Sequence, residues 1–186
     1  MFFGLTLLNT PDLNQNYNWR IAILALAIFA FDQVTKWTII HLLPVPYHSE
    51  VHVLPGFLRI VHVHNTGAAW SMFSDNNLTL AIISVVALIV LIFVRDKFGA
   101  ATRLGSLALG LIFGGILGNV FDRFVHGHVI DFLHFHLITR SGVQHDFPAF
   151  NVADSAICSG VALLFILSWR PEQPAKEATV PSAAVK

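Results

Sequence analysis

The sequence predicts an all-α membrane protein: four transmembrane helices, with small extended segments on the outer face. Three observations predict it. The 186-residue chain is 55% hydrophobic and only 12% charged, about half the charge of a soluble domain. Four apolar stretches come near the ~17–25 residues that cross a bilayer. One of them, LTLAIISVVALIVLIFV from Leu78 to Val94, is apolar on every face, which a surface helix of a soluble protein is not. The same composition excludes a disordered chain. Eleven basic residues balance eleven acidic ones, leaving no electrostatic footprint for nucleic acid. The single cysteine, Cys158, excludes an intramolecular disulfide framework.

Residues 1–18 read as an N-terminal extension. The run FFGLTLL is short, lacks a basic flank and is followed by Asn9-Thr10-Pro11-Asp12, so it does not read as a signal peptide. A single membrane domain is expected over 19–170, with spans at about 19–43, 78–94, 104–121 and 152–169. The first is interrupted by Asp32 and Lys36, the third is rich in glycine, and the fourth carries Asp154 in its first turn. The tail 171–186, PEQPAKEATVPSAAVK, is Pro- and Ala-rich and predicted disordered. Arg95, Lys97 and Arg103 lie between spans two and three, which puts that connection in the cytoplasm. Arg170, Lys176 and Lys186 follow on the same side, so both termini are expected to be cytoplasmic. Segments 44–77 and 122–151 then face outward, although Arg59, Arg123 and Arg140 in them dilute the bias.

Within the outer segments, Val51-His52-Val53 and Ile60-Val61-His62-Val63-His64 alternate at period two around Pro55-Gly56, a strand–turn–strand signal. His128 to Ile138 has the same texture. Such strands suit a platform that an extended peptide joins by strand addition.

Ionisable groups in or near spans are costly and mark candidate sites. Asp32 and Lys36 are spaced i, i+4 with the acid first, the favourable order for an ion pair, and read as a structural pair. Gly110, Gly114, Gly115 and Gly118 make overlapping GxxxG spacings, read as close helix packing. Asn119, Asp122 and Arg123 follow at the outer end of span three, where a carboxylate opposes the helix dipole and Arg123 offsets it. A structural pair and a role in substrate contact stay open for these two. Asn151 and Asp154 fit an N-cap and its third helical residue, and capping alone would account for both. Asp131, in Val129-Ile130-Asp131-Phe132-Leu133, is a carboxylate in an apolar run. Two acids near one apolar interface suggest a coupled pair holding one proton, able to run acid and base roles on a water.

Other chemistries are poorer fits. The pairs His62/His64, His126/His128 and His134/His136 place histidines on common strand faces, but no HExxH-type motif occurs. They read as surface histidines at headgroup level, with no metal. No G-x-S-x-G occurs, and Cys158 has no basic sequence neighbour, so a Ser or Cys nucleophile is unsupported.

Taken together, the motifs resemble the prolipoprotein signal peptidases, the type II signal peptidases of bacteria. The matching stretches are Asp32-Gln33-Val34-Thr35-Lys36, Asn65-Thr66-Gly67-Ala68-Ala69-Trp70-Ser71, Gly114 through Arg123, Gly127 through Phe132, and Phe150-Asn151-Val152-Ala153-Asp154. They run in the family's order across residues 32–154. The resemblance implies an aspartic endopeptidase of the bacterial inner membrane, with its active site at the outer face and Asp131 and Asp154 as the catalytic pair. Asn65, Gly67, Asn119, Asp122, Arg123 and Asn151 match positions that support the pair or contact substrate. It implies a prolipoprotein substrate cut before its diacylglyceryl-modified cysteine, with no cofactor, contact with membrane lipid and a monomeric enzyme. The rival reading is a four-span binding or transport protein whose acids are structural. Cleavage of a lipidated precursor by purified protein separates the two.

Overall fold

In the computed structural model, which describes residues 13–67, 76–139 and 141–169, one helix is central and the others are arranged around it. In chain order the elements are α1 (Leu13–Leu42), β1 (Glu50–Leu54), β2 (Leu58–Asn65), α2 (Asn77–Val94), α3 (Arg103–Val125), β3 (Val129–Ile138), β4 (Gln144–Asp146) and α4 (Val152–Ser168). The central helix is α3, flanked by α1 and α4. Its glycines make the approach possible, as their spacing predicts. A Cβ on Gly110 would meet Leu24 Cδ2 at 2.8 Å, and one on Gly114 would meet the Ala25 carbonyl oxygen at 2.6 Å. On Gly115 it would collide with the Ala153 carbonyl, and on Gly118 with the Asp32 carboxylate. Side chains at these positions would hold the helices apart.

The bundle is inside out relative to a soluble protein. Trp19, Phe31, Trp37, Phe93 and Phe165 are exposed, whereas Asp32, Lys36, Asp122, Asp131 and Asn151 are buried. That distribution fits a lipid surround. Among the described residues, three helices are long and apolar enough to cross a membrane: α1, α2 with the 3-10 turn Arg95–Phe98 that continues it, and α3. The fourth, α4, is apolar but shorter, at 17 residues. Helix α1 starts at Leu13 rather than near Trp19, and α3 runs on to Val125. Residues 1–12 of the extension, Ala68–Ser71 of the second motif, Arg140 and the tail from 170 lie outside the described residues.

The extended segments form one antiparallel sheet in the order β1-β2-β3-β4. The short polar strand β4 carries no alternating apolar signal and is absent from the sequence-based expectation. Strand β2 holds one extra residue between Ile60 and Val63, so the pairing passes from Ile60↔Leu133 to Val63↔Asp131. Because side chains alternate at period two, one inserted residue turns everything beyond it to the other face. The bulge thereby sets Asn65 on the same face as Asp131. Phe150 bridges Leu133, its carbonyl accepting from Phe132 N and Leu133 N at 3.0 and 2.8 Å. That clamp ties the start of α4 to β3.

Candidate active site

Two elements meet at Asn151. It is the N-cap of α4, its side-chain oxygen accepting from Asp154 N at 2.9 Å while Asp154 Oδ2 accepts from Asn151 N at 3.3 Å. The capping box is therefore real, and it is only half of what these residues do. Asn151 Nδ2 donates to Asp131 Oδ1 at 2.7 Å, and Asp154 Oδ1 accepts from Asn119 Nδ2 at 2.7 Å. One carboxylate oxygen of Asp154 caps the helix and the other faces the cluster. Asp131 accepts a further bond from Asn65 Nδ2 at 2.8 Å. Each carboxylate is thus held by neutral amides. Burial first, and the nearby charge of Asp154 second, push Asp131 up to about 7, against the opposing bonds from Asn65 and Asn151.

Behind the amides lies an ionic cluster. Lys36 Nζ sits 2.8 Å from both Asp32 Oδ2 and Asp122 Oδ2 and donates to Asn119 Oδ1 at 3.0 Å. Asn119 Oδ1 also accepts from Asn151 Nδ2 at 3.1 Å. With its oxygen so engaged, the Asn119 amide must turn its NH2 to Asp154. Asp32 Oδ1 accepts from Ala153 N at 2.9 Å, a carboxylate on the positive end of α4. Asp122 Oδ2 accepts from Ile130 N at 3.2 Å, which fixes the start of β3.

The family profile described as signal peptidase (SPase) II matches residues 24–170. A lipoprotein signal peptidase of Listeria monocytogenes serotype 4a is 35% identical over 144 residues, covering 77% of this chain and 89% of that protein. One from Listeria innocua serovar 6a matches to the same extent. The chain belongs to the signal peptidase II family. A bacterial membrane enzyme solved by the in meso method at 2.3 Å resolution has 34% identity, with a TM-score of 0.71 over 86% of this chain and 93% of that one. As a member of the signal peptidase II family, the protein is a membrane peptidase that removes signal peptides from prolipoproteins.

Several side chains of this signal peptidase II fall elsewhere than the sequence suggests. Asp122 does not pair with Arg123; consecutive helical residues point apart, and Asp122 faces Lys36 instead. Arg123 donates to the carbonyls of Asn119 and Gly67 at 3.4 and 3.3 Å, and its buried Nε has no partner among the described residues. Gly67 N in turn donates to Asn65 Oδ1 at 3.0 Å, so Arg123 and Gly67 steady the amide that holds Asp131. Gln33, part of the first motif but given no role by the sequence, donates to Asp32 and Asp122 at 3.1 and 2.9 Å. An amide on a membrane helix beside an ion pair was the available signal. The histidines are not all at the surface: His62 and His136 are buried, because alternation turns them toward the body of the protein. Burial, with His128, His62 and His126 nearby, lowers His64 to about 4.

Proposed function

We propose that Asp131 and Asp154 are the catalytic carboxylates of this peptidase and that they share one proton. The observation that carries the reading is that both acids are bound to a single amide relay, Asn119–Asn151, with no cation in direct contact among the described residues. A pair stabilised by neutral donors in a buried site keeps a proton that a lysine or arginine partner would drive off. In the reaction, the ionised aspartate takes a proton from a water as that water attacks the scissile carbonyl. The protonated one donates to the carbonyl oxygen and then gives its proton to the leaving amine. The cut falls before a diacylglyceryl-modified cysteine whose acyl chains stay in the lipid. Asn65, Gly67, Arg123, Asn119 and Asn151 orient the pair, while Asp32, Lys36 and Asp122 hold the helices that carry it. The test is cleavage of a lipidated precursor by purified Asp131→Asn and Asp154→Asn at matched folded protein; near-wild-type turnover by either ends the assignment.

The pair faces the outer side of the inner membrane, with four spans, both termini cytoplasmic and the enzyme monomeric. Arg95, Lys97 and Arg103 at the opposite end of the bundle from Asp131 support this orientation. At a rise of about 1.5 Å per residue the shorter α4 reaches some 25 Å, within range of a hydrocarbon core that is locally thinned. In a Cys158→Ser background, an impermeant thiol reagent outside spheroplasts is expected to label Asn76→Cys and spare Gly99→Cys. The reverse pattern inverts the topology.

A further inference from the structure

We propose that His62 and His64 form a two-imidazole chelate for a divalent first-row transition ion of the zinc and copper class, at the end of β2. The first support is a fixed tautomer. His62 Nδ1 lies 2.7 Å from the carbonyl oxygen of Leu43. A carbonyl only accepts, so Nδ1 carries the proton and Nε2 keeps its lone pair. Histidines that bind metals are oriented in this way, the second ring nitrogen donating to a carbonyl or carboxylate.

The second support is what that lone pair meets: it accepts a hydrogen bond from His64 Nε2, whose proton an ion between the two rings would replace once His64 carries its proton on Nδ1. His62 Nε2 lies 3.2 Å from His64 Nε2. Two imidazole nitrogens at ~2.0–2.1 Å from one tetrahedral zinc stand about 3.3 Å apart. The two rings therefore already hold the spacing of two corners of a coordination tetrahedron.

The third support is that the pair is held rigidly. Tyr47 adopts φ 63°, a left-handed conformation that a bulky residue keeps only when its surroundings impose it. Its N donates to the His62 carbonyl at 2.9 Å, its hydroxyl donates to the His64 carbonyl at 2.7 Å, and the same hydroxyl accepts from His64 N at 3.2 Å. His128 stacks on the His64 ring with centroids 3.7 Å apart. Strand end and rings are both clamped before any ion arrives. Among the described residues no group of three or more such ligands gathers at one point, so water completes the coordination. An all-nitrogen pair selects copper and zinc over calcium and magnesium, which require oxygen ligands.

The experiment is calorimetric titration of the purified full chain, without an affinity tag, with Zn2+ in detergent. One equivalent is expected to bind, weakened at least tenfold by His62→Gln and by His64→Gln and unchanged by His145→Gln on the exposed strand β4. His64 is half-buried, so its variant stays informative if replacement of the buried His62 impairs folding. Cu2+ paramagnetic resonance gives the ligand identity: hyperfine structure from two imidazole nitrogens in the wild type and from fewer in His64→Gln. Absence of uptake by the wild type, or uptake and spectra unaffected by His64→Gln, overturns the site.

Discussion

Two pairs of carboxylates lie on either side of Asn119, and they are held in opposite ways. Asp32 and Asp122 share an ammonium, Lys36 Nζ, at 2.8 Å from each. Among the described residues, Asp131 and Asp154 receive only amide donors, from Asn65, Asn119 and Asn151. Asp32, Asp122 and Asp131 are all buried and Asp154 is half-buried, so partner chemistry more than burial separates the two pairs. A cation 2.8 Å away fixes charge and geometry together, which suits a joint between helices. Neutral amides fix geometry and leave the proton free to move, which suits catalysis. Asn119 touches both clusters: its oxygen takes up part of the lysine's hydrogen bonding and its nitrogen serves Asp154.

The largest expected effect falls on the amide-held pair. Asp131→Asn and Asp154→Asn are each expected to lower single-turnover cleavage by at least about two orders of magnitude, the scale of a lost acid–base group. The double variant is expected to be hardly worse than either single, since groups that act as a unit are not additive. Asp154→Asn retains an oxygen for the capping box, so its detergent unfolding midpoint stays close to wild type. A large loss of stability with intact rate would assign Asp154 to the cap alone.

The lysine-held pair is expected to fail in the other direction. Lys36→Met strands two fully buried carboxylates, and removing one partner from a buried ionic cluster costs about 3–5 kcal/mol. The measurement is chemical unfolding in detergent. Replacing Asp32, Lys36 and Asp122 together by Asn, Met and Asn is expected to recover much of that loss. If the triple variant is no better than Lys36→Met, the cluster does more than neutralise itself.

How much of this contrast could be read from the sequence depends on how local its cause is. Asp32–Lys36 was legible because i, i+4 spacing on one helix dictates the pair. The helices α2 and α4 were legible to within a residue, since lipid demands continuous apolar length, while α1 begins six residues before its expected span and α3 runs four beyond its own. The third member, Asp122, was not, because it reaches Lys36 only once α1 and α3 pack, and its neighbour in sequence, Arg123, drew the pairing instead. Asp131 stood out as an acid in an apolar strand. Asn65's role rested on family resemblance alone, because the bulge between Ile60 and Val63 that brings it to Asp131's face interrupts no visible alternation. Asp154 reads as a cap or as an active-site acid for a sound reason: one of its oxygens accepts from the helix N-cap and the other from Asn119.

A smaller effect is expected where the two clusters are pressed together by backbone. Gly118 lies against Asp32, and a Cβ there would collide with the carboxylate. Gly118→Ala is expected to cost about 1–3 kcal/mol of detergent stability, the usual scale of overpacking. Gly142→Ala, at a left-handed φ of 80° with nothing within 4 Å of the added Cβ, separates local backbone strain from interhelical collision. Equal losses at the two positions would remove packing as the cause at Gly118.

The finest distinction is in pH dependence. Asp131 is lifted to about 7, chiefly by burial, so over neutral pH the folded protein binds a proton that the unfolded chain has released. The sign follows from linkage: this contribution to stability is complete below the ordinary carboxylate range, near 4, and is lost as pH rises through about 7. Activity is expected to decline over the same alkaline limb if the pair is catalytic as proposed, because a pair that shares one proton titrates as a unit and then loses it. Asn65 donates to the ionised form of Asp131 and therefore opposes the lift. Asn65→Leu removes that donor, so the alkaline limb of kcat/KM is expected to move upward, by up to about one pH unit, while the rate on the plateau falls. A substitution on the lysine side gives the contrasting result: Gln33→Leu, which removes neutral donors from Asp32 and Asp122, is expected to lower stability and leave the limb in place. A downward shift in Asn65→Leu would mean that the amide stabilises the protonated carboxyl instead, and that Asp131 is the proton-carrying acid of the pair.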